Sequence, residues 1–354
     1  NVVAAIRTNS LRVVNVDDDN DPQLESVEVR RAIVGSLGTR GNNLRTVVAM
    51  YEDVVDDADD DELFGLPGEP VYLSDDAPGS GFGGAVALSP TDAIVGATSG
   101  AGVLPSQGAV YIYRQNPASA EWEQVQKLSH DRTSAFDLFG LAVAVRTEGS
   151  VLAVAMLSPS RFVEVVIFRQ WFTVDQGNHW VQDQRLNIAD SDRSSELFSP
   201  QNMLSIRGSQ LAVATLASST ADNEDPFVSV FKESTATEDG FTFTSWSLDF
   251  TVRGEDSDAT AMLASISDAL LVSSDDISGL EVLVTCAADT DFVEPEDQDC
   301  LGLTVETLNV SEALSNEYSL QNFAHAVSFD DSHVIIASPL LDEGASSSGA
   351  VLAY

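Results

Sequence analysis

One short stretch of this sequence places carboxylates at alternate positions, a pattern that can bind a cation. Asp17, Asp19 and Asp21 alternate with other polar residues, and Glu25 follows four positions later. Alternate side chains of a tight loop can converge, and a hard cation such as Ca²⁺ needs several oxygen ligands to replace its water shell. We therefore predict a Ca²⁺ site at these four residues, with a solvated acidic turn as the alternative.

The chain has two cysteines, Cys286 and Cys300, on either side of an acidic segment that contains proline. Two cysteines in 354 residues do not make a disulfide scaffold, and the CxxC spacing of a metal site is absent. We predict one loop-closing disulfide between them, which implies an oxidising compartment. In such a compartment the sequon Asn309-Val310-Ser311 predicts glycosylation of Asn309.

Residues for covalent catalysis do not occur in their usual arrangements. No GxSxG motif marks a nucleophilic serine, and no HxxxH or HExxH spacing relates the four histidines, which are His130, His179, His325 and His333. The glycine-rich stretch 79–84 precedes a predicted strand and not a helix, so it lacks the helix N-terminus that would bind a phosphate. The sequence therefore predicts no catalytic residue.

The charge of the chain is strongly negative. Seventeen Lys and Arg residues stand against 56 Asp and Glu residues, which gives a formal net charge of −39. So anionic a surface repels phosphate backbones and acidic lipid headgroups, which argues against nucleic-acid and polybasic membrane binding. The apolar runs are strand-sized, so we predict no membrane insertion.

A repeat runs through the chain and predicts its fold. Copies open at Phe82-Gly83 and at Phe139-Gly140, 57 residues apart, and a third copy opens at Phe198, 59 residues later. Each copy holds four short β-type runs separated by Gly, Ser, Asp or Pro, without helical periodicity. Such four-stranded units are typical of the blades of an all-β propeller, with a β-solenoid as the alternative.

Residue types within each copy predict where its strands lie. The second run is almost wholly apolar, as expected of a strand buried on both faces. The third run alternates aliphatic and aromatic residues, which favours a position nearer the outside. Tryptophans recur with the period in the fourth run, and we expect them to pack rather than to bind carbohydrate; they are Trp122, Trp180 and Trp246.

The length predicts the number of blades. Dividing 354 residues by six gives 59, so we predict one six-bladed domain with blades at 9–80, 81–137, 138–196, 197–257, 258–321 and 322–354 plus 1–8. The last copy ends after its third strand, and the run Val2–Ile6 precedes the first full copy. We expect this N-terminal strand to complete the last blade and close the ring, which removes two exposed edges. A seven-bladed ring is the alternative.

Together these segments resemble FG-GAP repeats, which build the β-propeller of integrin α subunits and of many secreted or surface proteins. The resemblance rests on the Phe-Gly openings, Ile-Val-Gly-Ala at 94–97, Gly-Ala-Val-Tyr at 108–111 and the spacing of Trp122 to Leu128. It implies Ca²⁺ loops between first and second strands, where this chain has its alternating carboxylates, although Pro22 replaces the usual glycine.

The resemblance also implies a protein or glycan partner on one face of the propeller. We expect an extracellular or cell-surface module for adhesion, recognition or structural assembly, without covalent chemistry. Self-assembly into a surface coat or filament is a second form of this expectation. The alternative is a propeller enzyme, a hydrolase or lyase with its site at the central channel. Small apolar first-strand residues such as Ala85 and Ala142 argue against that alternative.

The calcium prediction can be tested by chelation. If Asp17, Asp19, Asp21 and Glu25 bind Ca²⁺, EDTA should lower the melting temperature, because the ion stabilises only the folded chain. Adding Ca²⁺ back should restore it, and the Asp19→Asn variant should melt at the same temperature with and without EDTA. An unchanged melting temperature of the unmodified chain would contradict the prediction.

Overall fold

β-Strands make up all the regular secondary structure of the described residues, which confirms the all-β prediction. The computed structural model describes residues 2–15, 22–35, 47–54, 70–74, 80–99, 106–116, 119–130, 135–146, 148–157, 163–174, 177–188, 203–214, 227–238, 241–253, 262–266, 269–276, 279–286, 304–308, 326–329, 334–338 and 350–353. None of these segments is a helix long and apolar enough to span a membrane.

The chain divides into two compact units, of which the first comprises residues 1–160 and 164–185. Three four-stranded antiparallel sheets are described in it, each with its strands in chain order. Their strands are β1 (Val2–Asn15), β2 (Pro22–Gly35), β3 (Val48–Val54) and β4 (Val71–Leu73); β5 (Phe82–Leu88), β6 (Asp92–Ala97), β7 (Ala109–Gln115) and β8 (Trp122–Leu128); and β9 (Ala142–Val145), β10 (Val151–Leu157), β11 (Val163–Thr173) and β12 (Gly177–Asn187).

The second unit comprises residues 161–163 and 186–354. Its described strands form two four-stranded sheets and one three-stranded sheet, again in chain order. They are β13 (Leu204–Arg207), β14 (Gln210–Ala214), β15 (Phe227–Glu238) and β16 (Phe241–Arg253); β17 (Met262–Ile266), β18 (Ala269–Asp276), β19 (Gly279–Cys286) and β20 (Thr304–Leu308); and β21 (Ala326–Phe329), β22 (Val334–Ser338) and β23 (Ala350–Ala353).

Neighbouring sheets pack side by side through their first strands. In the first unit β5 contacts β1 and β2 of the preceding sheet and β9 of the following one. In the second unit β17 contacts β13 and β14 on one side and β21 on the other. Antiparallel four-stranded sheets that repeat and pack in this way are the building blocks of a β-propeller.

The second strands are buried as predicted, but the third strand β7 is not near the outside. Every residue of β6 and β10 is buried. In β7 the aromatic face, Tyr111 and Tyr113, packs with Phe82 and with residues of the preceding sheet. Its aliphatic face, Val110 and Ile112, packs with residues of the following sheet. The alternation therefore reflects two apolar cores, one on each side of the sheet.

The N-terminal strand differs from the prediction. Val2–Ile6 is the first part of β1 and pairs in register with Arg31–Gly35 of β2, so it belongs to the first sheet. Pairing with the next strand along the chain requires only a short connection, which loses less chain entropy than closure over the whole sequence. In the described part of the last sheet, β22 lies between β21 and β23 and pairs with both. Ring closure through residues 2–6 is not confirmed.

The Phe-Gly openings have a structural reason. Gly83 and Gly140 have positive φ angles of 86° and 88°, which glycine adopts without strain. Their carbonyl oxygens lie against a glycine of the preceding sheet, so that a Cβ placed on Gly35 or Gly96 would stand 2.2 Å from that oxygen. Glycine at both positions is what permits the sheets to approach so closely.

This close approach predicts that one added methyl group at Gly96 lowers the stability of the chain. Gly96→Ala should destabilise the chain by about 3 kcal/mol, because the new Cβ meets a backbone oxygen that cannot move alone. Gly208→Ala is the comparison: no atom lies within 4 Å of the added Cβ, and only its positive φ of 51° opposes the substitution, so we expect a loss of about 1 kcal/mol. Urea unfolding followed by circular dichroism measures both, and equal losses would contradict the close-approach argument.

Candidate recognition surface

The predicted Ca²⁺ ligands lie largely outside the described residues. Asp17, Asp19 and Asp21 belong to the connection 16–21 between β1 and β2, which is not described. Glu25 lies in β2, opposite Arg12 of β1, and its side chain is not described. Among the side chains that the structure does describe, no three His, Cys, Asp or Glu residues are placed to hold a metal ion. The Ca²⁺ site remains a prediction.

The predicted disulfide and glycosylation site also remain predictions. Cys286 is the last residue of β19, whereas Cys300 and Asn309 are outside the described residues.

A buried carboxylate joins the second and third sheets. Asp92, at the start of β6, is 0% exposed. Within its own sheet, Arg114 donates from Nε to Oδ1 at 2.6 Å and from Nη2 to Oδ2 at 2.9 Å. From the next sheet, Gln170 Nε2 at 3.2 Å and Trp180 Nε1 at 3.0 Å donate to Oδ2. These charge-assisted hydrogen bonds compensate for the loss of water around the carboxylate.

Further hydrogen bonds hold β12 against the preceding sheet. Gln126 of β8 bonds to the backbone of Trp180 in both directions, donating to its carbonyl and accepting from its N–H at 2.8 Å each. Arg114 Nη1 donates to the carbonyl of Asn178 at 2.9 Å. Both strands of the β11–β12 hairpin are thus anchored at the level of Gln170 and Trp180.

Ion pairs across the hairpin support the same two strands. Arg169 Nε lies 2.6 Å from Asp183 Oδ2, and Arg185 Nη1 lies 3.6 Å from Glu164 Oε2. Desolvation by burial lowers the pKa of Arg185 from its ordinary value. A guanidinium group starts from so high a pKa that it stays charged at neutral pH. The two strands of the hairpin are therefore held together by ion pairs up to the start of the tip.

The tip of this hairpin is apolar and exposed. Directly after the anchoring Gln170 come Trp171 and Phe172, which are 60% and 71% exposed, and Val174 is 93% exposed. Isolated apolar residues are common on surfaces, but here two aromatic residues and a valine are exposed within four residues at the end of one anchored hairpin, and such a concentration of exposed apolar residues is typical of interaction sites. We call Trp171, Phe172 and Val174 the hairpin tip.

The connection that carries the hairpin tip is longer than the equivalent connection in the second sheet. In β7 and β8 the polar residue Gln115 pairs with Trp122, and six residues separate them. Nine residues separate the equivalent Gln170 and Trp180, and twelve separate Glu233 and Trp246, which pair in β15 and β16. The strand positions are kept while the segment beyond them changes length.

Sequence reasoning missed the hairpin tip. It expected the periodic tryptophans to pack, and this is correct: Trp180 and Trp246 are buried, and Trp122 packs against the core. The fourth tryptophan, Trp171, does not follow the period. That departure from the period could have indicated an exposed position, because the repeat provides no buried position for a tryptophan there.

His130 and Asp137 pair without forming an accessible site. Nε2 of His130 lies 3.0 Å from Oδ2 of Asp137, but their side chains are 0% and 1% exposed. His130 packs against the ring of Phe139, and the Asp137 carbonyl accepts the N–H of Leu157 at 2.8 Å. The burial of both side chains keeps a substrate from reaching this pair, which links His130, after β8, to Asp137, before β9.

The comparisons with known proteins give no functional assignment. A scan against protein-family models found no match, and neither did a search of curated proteins. Among solved structures, the chain is similar to the β-propeller domain of the Trilobed protease from Pyrococcus furiosus, described as having an open velcro topology. The similarity covers 92% of this chain and 79% of that one, at 7% identity and a TM-score of 0.43. No residue role or activity transfers at these values, and the FG-GAP resemblance stays a prediction.

Because Asp92 anchors two sheets and Asp183 does not, we expect unequal losses of stability when each of these aspartates, which lie in neighbouring sheets, is replaced. Asp92→Ala should destabilise the chain by about 3 kcal/mol, since it leaves Arg114, Gln170 and Trp180 without their common acceptor. Asp183→Ala removes a partly exposed ion pair and should change stability by less than about 1 kcal/mol. Urea unfolding of both variants tests this, and similar losses would show that Asp92 is not an anchor.

Proposed function

We propose that this chain is an extracellular, non-enzymatic recognition or assembly module that contacts its partner through the hairpin tip. The observation that carries the proposal is the exposure of Trp171, Phe172 and Val174 directly beyond the Asp92 anchor. Ordering a flexible loop would weaken binding, whereas a braced hairpin presents its aromatic side chains with little further loss of entropy. Aromatic residues are also the side chains that most often dominate binding energy in interfaces.

The charge of the chain supports an apolar contact. At a net charge of −39 most of the surface repels other anionic surfaces, including a second copy of the chain. Trp171, Phe172 and Val174 carry no charge, so a protein or glycan partner, or a copy in a surface coat or filament, can bind them through apolar contact rather than through the anionic surface. Salt should assist self-assembly by screening the remaining charges.

The finer elements of this proposal come from the sequence. We propose that the sheets are blades of one six-bladed β-propeller with FG-GAP-like repeats. We also propose Ca²⁺ bound by Asp17, Asp19, Asp21 and Glu25, a disulfide between Cys286 and Cys300, and a glycan on Asn309. The alternating carboxylates, the cysteine count and the sequon support these assignments.

The enzyme alternative, a hydrolase or lyase at the central channel, receives less support. Its site would need ionisable residues on the first strands, where β5 and β9 instead carry Ala85, Ala87, Ala142 and Ala144, all buried. The described His130–Asp137 pair is also out of reach of a substrate.

Site-specific crosslinking tests the proposal. A photoreactive benzoyl-phenylalanine at position 172 should crosslink to a second copy of the chain or to a component of the source organism's surface extract. The same group at Val125, which is 47% exposed on β8, is the matched control and should not. Excess unmodified chain should abolish the adduct, whereas the Trp171→Ser/Phe172→Ser variant, which should melt at an unchanged temperature, should not compete.

Two results would refute the recognition role of the hairpin tip. One is an equal yield of adducts from positions 172 and 125, and the other is equal competition by the unmodified chain and the double serine variant.

A further inference from the structure

Two ion pairs occupy the same place in consecutive sheets of the first unit with reversed charges, and in each the second-strand residue is buried while its partner is partly exposed. Arg31 and Asp92 each directly precede an Ala-Ile-Val-Gly segment of the second strand. Each faces an opposite charge across its sheet in the same register, since Arg31 pairs with Glu52 and Asp92 pairs with Arg114. The Nε–carboxylate distances are 2.9 Å and 2.6 Å. One position of the repeat thus carries a cation in one sheet and an anion in the next.

At both junctions a glutamine and a tryptophan of the following sheet contact the ion pair. At the first junction Gln115 Oε1 accepts a hydrogen bond from Arg31 Nη2 at 2.7 Å, and its Nε2 donates to Glu52 Oε2 at 3.3 Å. Arg31 Cζ lies 5.5 Å from the ring centroid of Trp122. At the second junction Gln170 and Trp180 instead donate from Nε2 and Nε1 to the Asp92 carboxylate. Toward the charge on the second strand, the same two residue types thus present opposite polarity: an acceptor oxygen and a ring face to Arg31, and two N–H donors to Asp92.

The chemistry of these side chains permits both responses. A glutamine amide has an acceptor oxygen and a donor nitrogen, and a half-turn of the amide exchanges them. An indole has a donor N–H at its edge and a π face that attracts cations. A Gln–Trp pair can therefore satisfy either sign of charge, which Glu, Lys or Leu at these positions could not.

The arginine of each ion pair also reaches the following sheet, whichever strand carries it. Arg31 on the second strand donates from Nη1 to the carbonyl of Pro90 at 2.8 Å. Arg114 on the third strand donates from Nη1 to the carbonyl of Asn178 at 2.9 Å. Reversal of the ion pair thus preserves a guanidinium–carbonyl bond across the junction.

We propose that the Gln–Trp pair is a docking site for an ion pair of either polarity. The two junctions are built alike although their charges are reversed, and the charge at the position of Arg31 and Asp92 is interchangeable provided that its partner on the third strand changes with it. Such a site joins neighbouring sheets without requiring the same buried charge in every repeat.

Charge reversal at the second junction tests this. Asp92→Arg alone and Arg114→Glu alone each place like charges together, and each should lower the melting temperature by about 6 °C or more. The combined variant Asp92→Arg/Arg114→Glu recreates the polarity of Arg31 and Glu52 and should recover at least half of the larger loss. A combined variant that melts no higher than the less stable single variant, or that fails to fold, overturns the proposal.

A second substitution, Gln170→Glu, tests which sign of charge lies next to Gln170, through its effect on the melting temperature. In the unmodified chain Gln170→Glu brings a second anion to Asp92 and should lower the melting temperature. In the combined variant the same substitution faces the introduced arginine and should leave the melting temperature unchanged or raise it. If Gln170→Glu lowers it equally in both backgrounds, the Gln–Trp pair does not respond to the polarity of the ion pair, and the proposal is wrong.

Discussion

A charge that is taken out of water where two sheets meet must find partners in both sheets. Asp92 does so with Arg114 from its own sheet and with Gln170 and Trp180 from the next. Because removal of solvent makes an unpaired carboxylate very unfavourable, this set of bonds admits one register between the second and third sheets. The position of the β11–β12 hairpin, and hence of its exposed tip, depends on that register.

Apolar packing accounts for cohesion between sheets but fixes their register less strictly. Each face of β7 belongs to a different core, one shared with the preceding sheet and one with the following sheet. Aliphatic and aromatic side chains can slide and repack at moderate cost, whereas hydrogen bonds to a buried carboxylate tolerate little displacement. The glycine contacts at Gly35 and Gly96 then set how close the sheets come.

The repeat made most strands of the second, third and fourth sheets predictable, since apolar runs and periodic tryptophans follow directly from residue type. The N-terminal strand was misplaced because periodicity cannot tell which of two edges a strand will pair with, and the true pairing is with β2. The junction charges escaped notice because Arg31 and Asp92 look unrelated in sequence. Their equivalence appears only through the register of β2 with β3 and of β6 with β7. Trp171 was missed because the repeat predicts a role only for residues that recur with its period, and Trp171 does not.

The division between the anchored residues of the hairpin and the longer connection beyond them is the strongest argument for placing the proposed recognition site at the hairpin tip. Gln170 and Trp180 of the hairpin donate to Asp92 of the preceding sheet, so substitution at these positions alters the fold. Beyond Gln170 the connection lengthens from six residues in the second sheet to nine in the third and twelve in the fourth, without disturbing the paired Gln or Glu and Trp positions. Residues released from packing are the ones that can acquire a binding role on a rigid scaffold. The exposed aromatic residues Trp171 and Phe172 are the first residues beyond the anchored position Gln170.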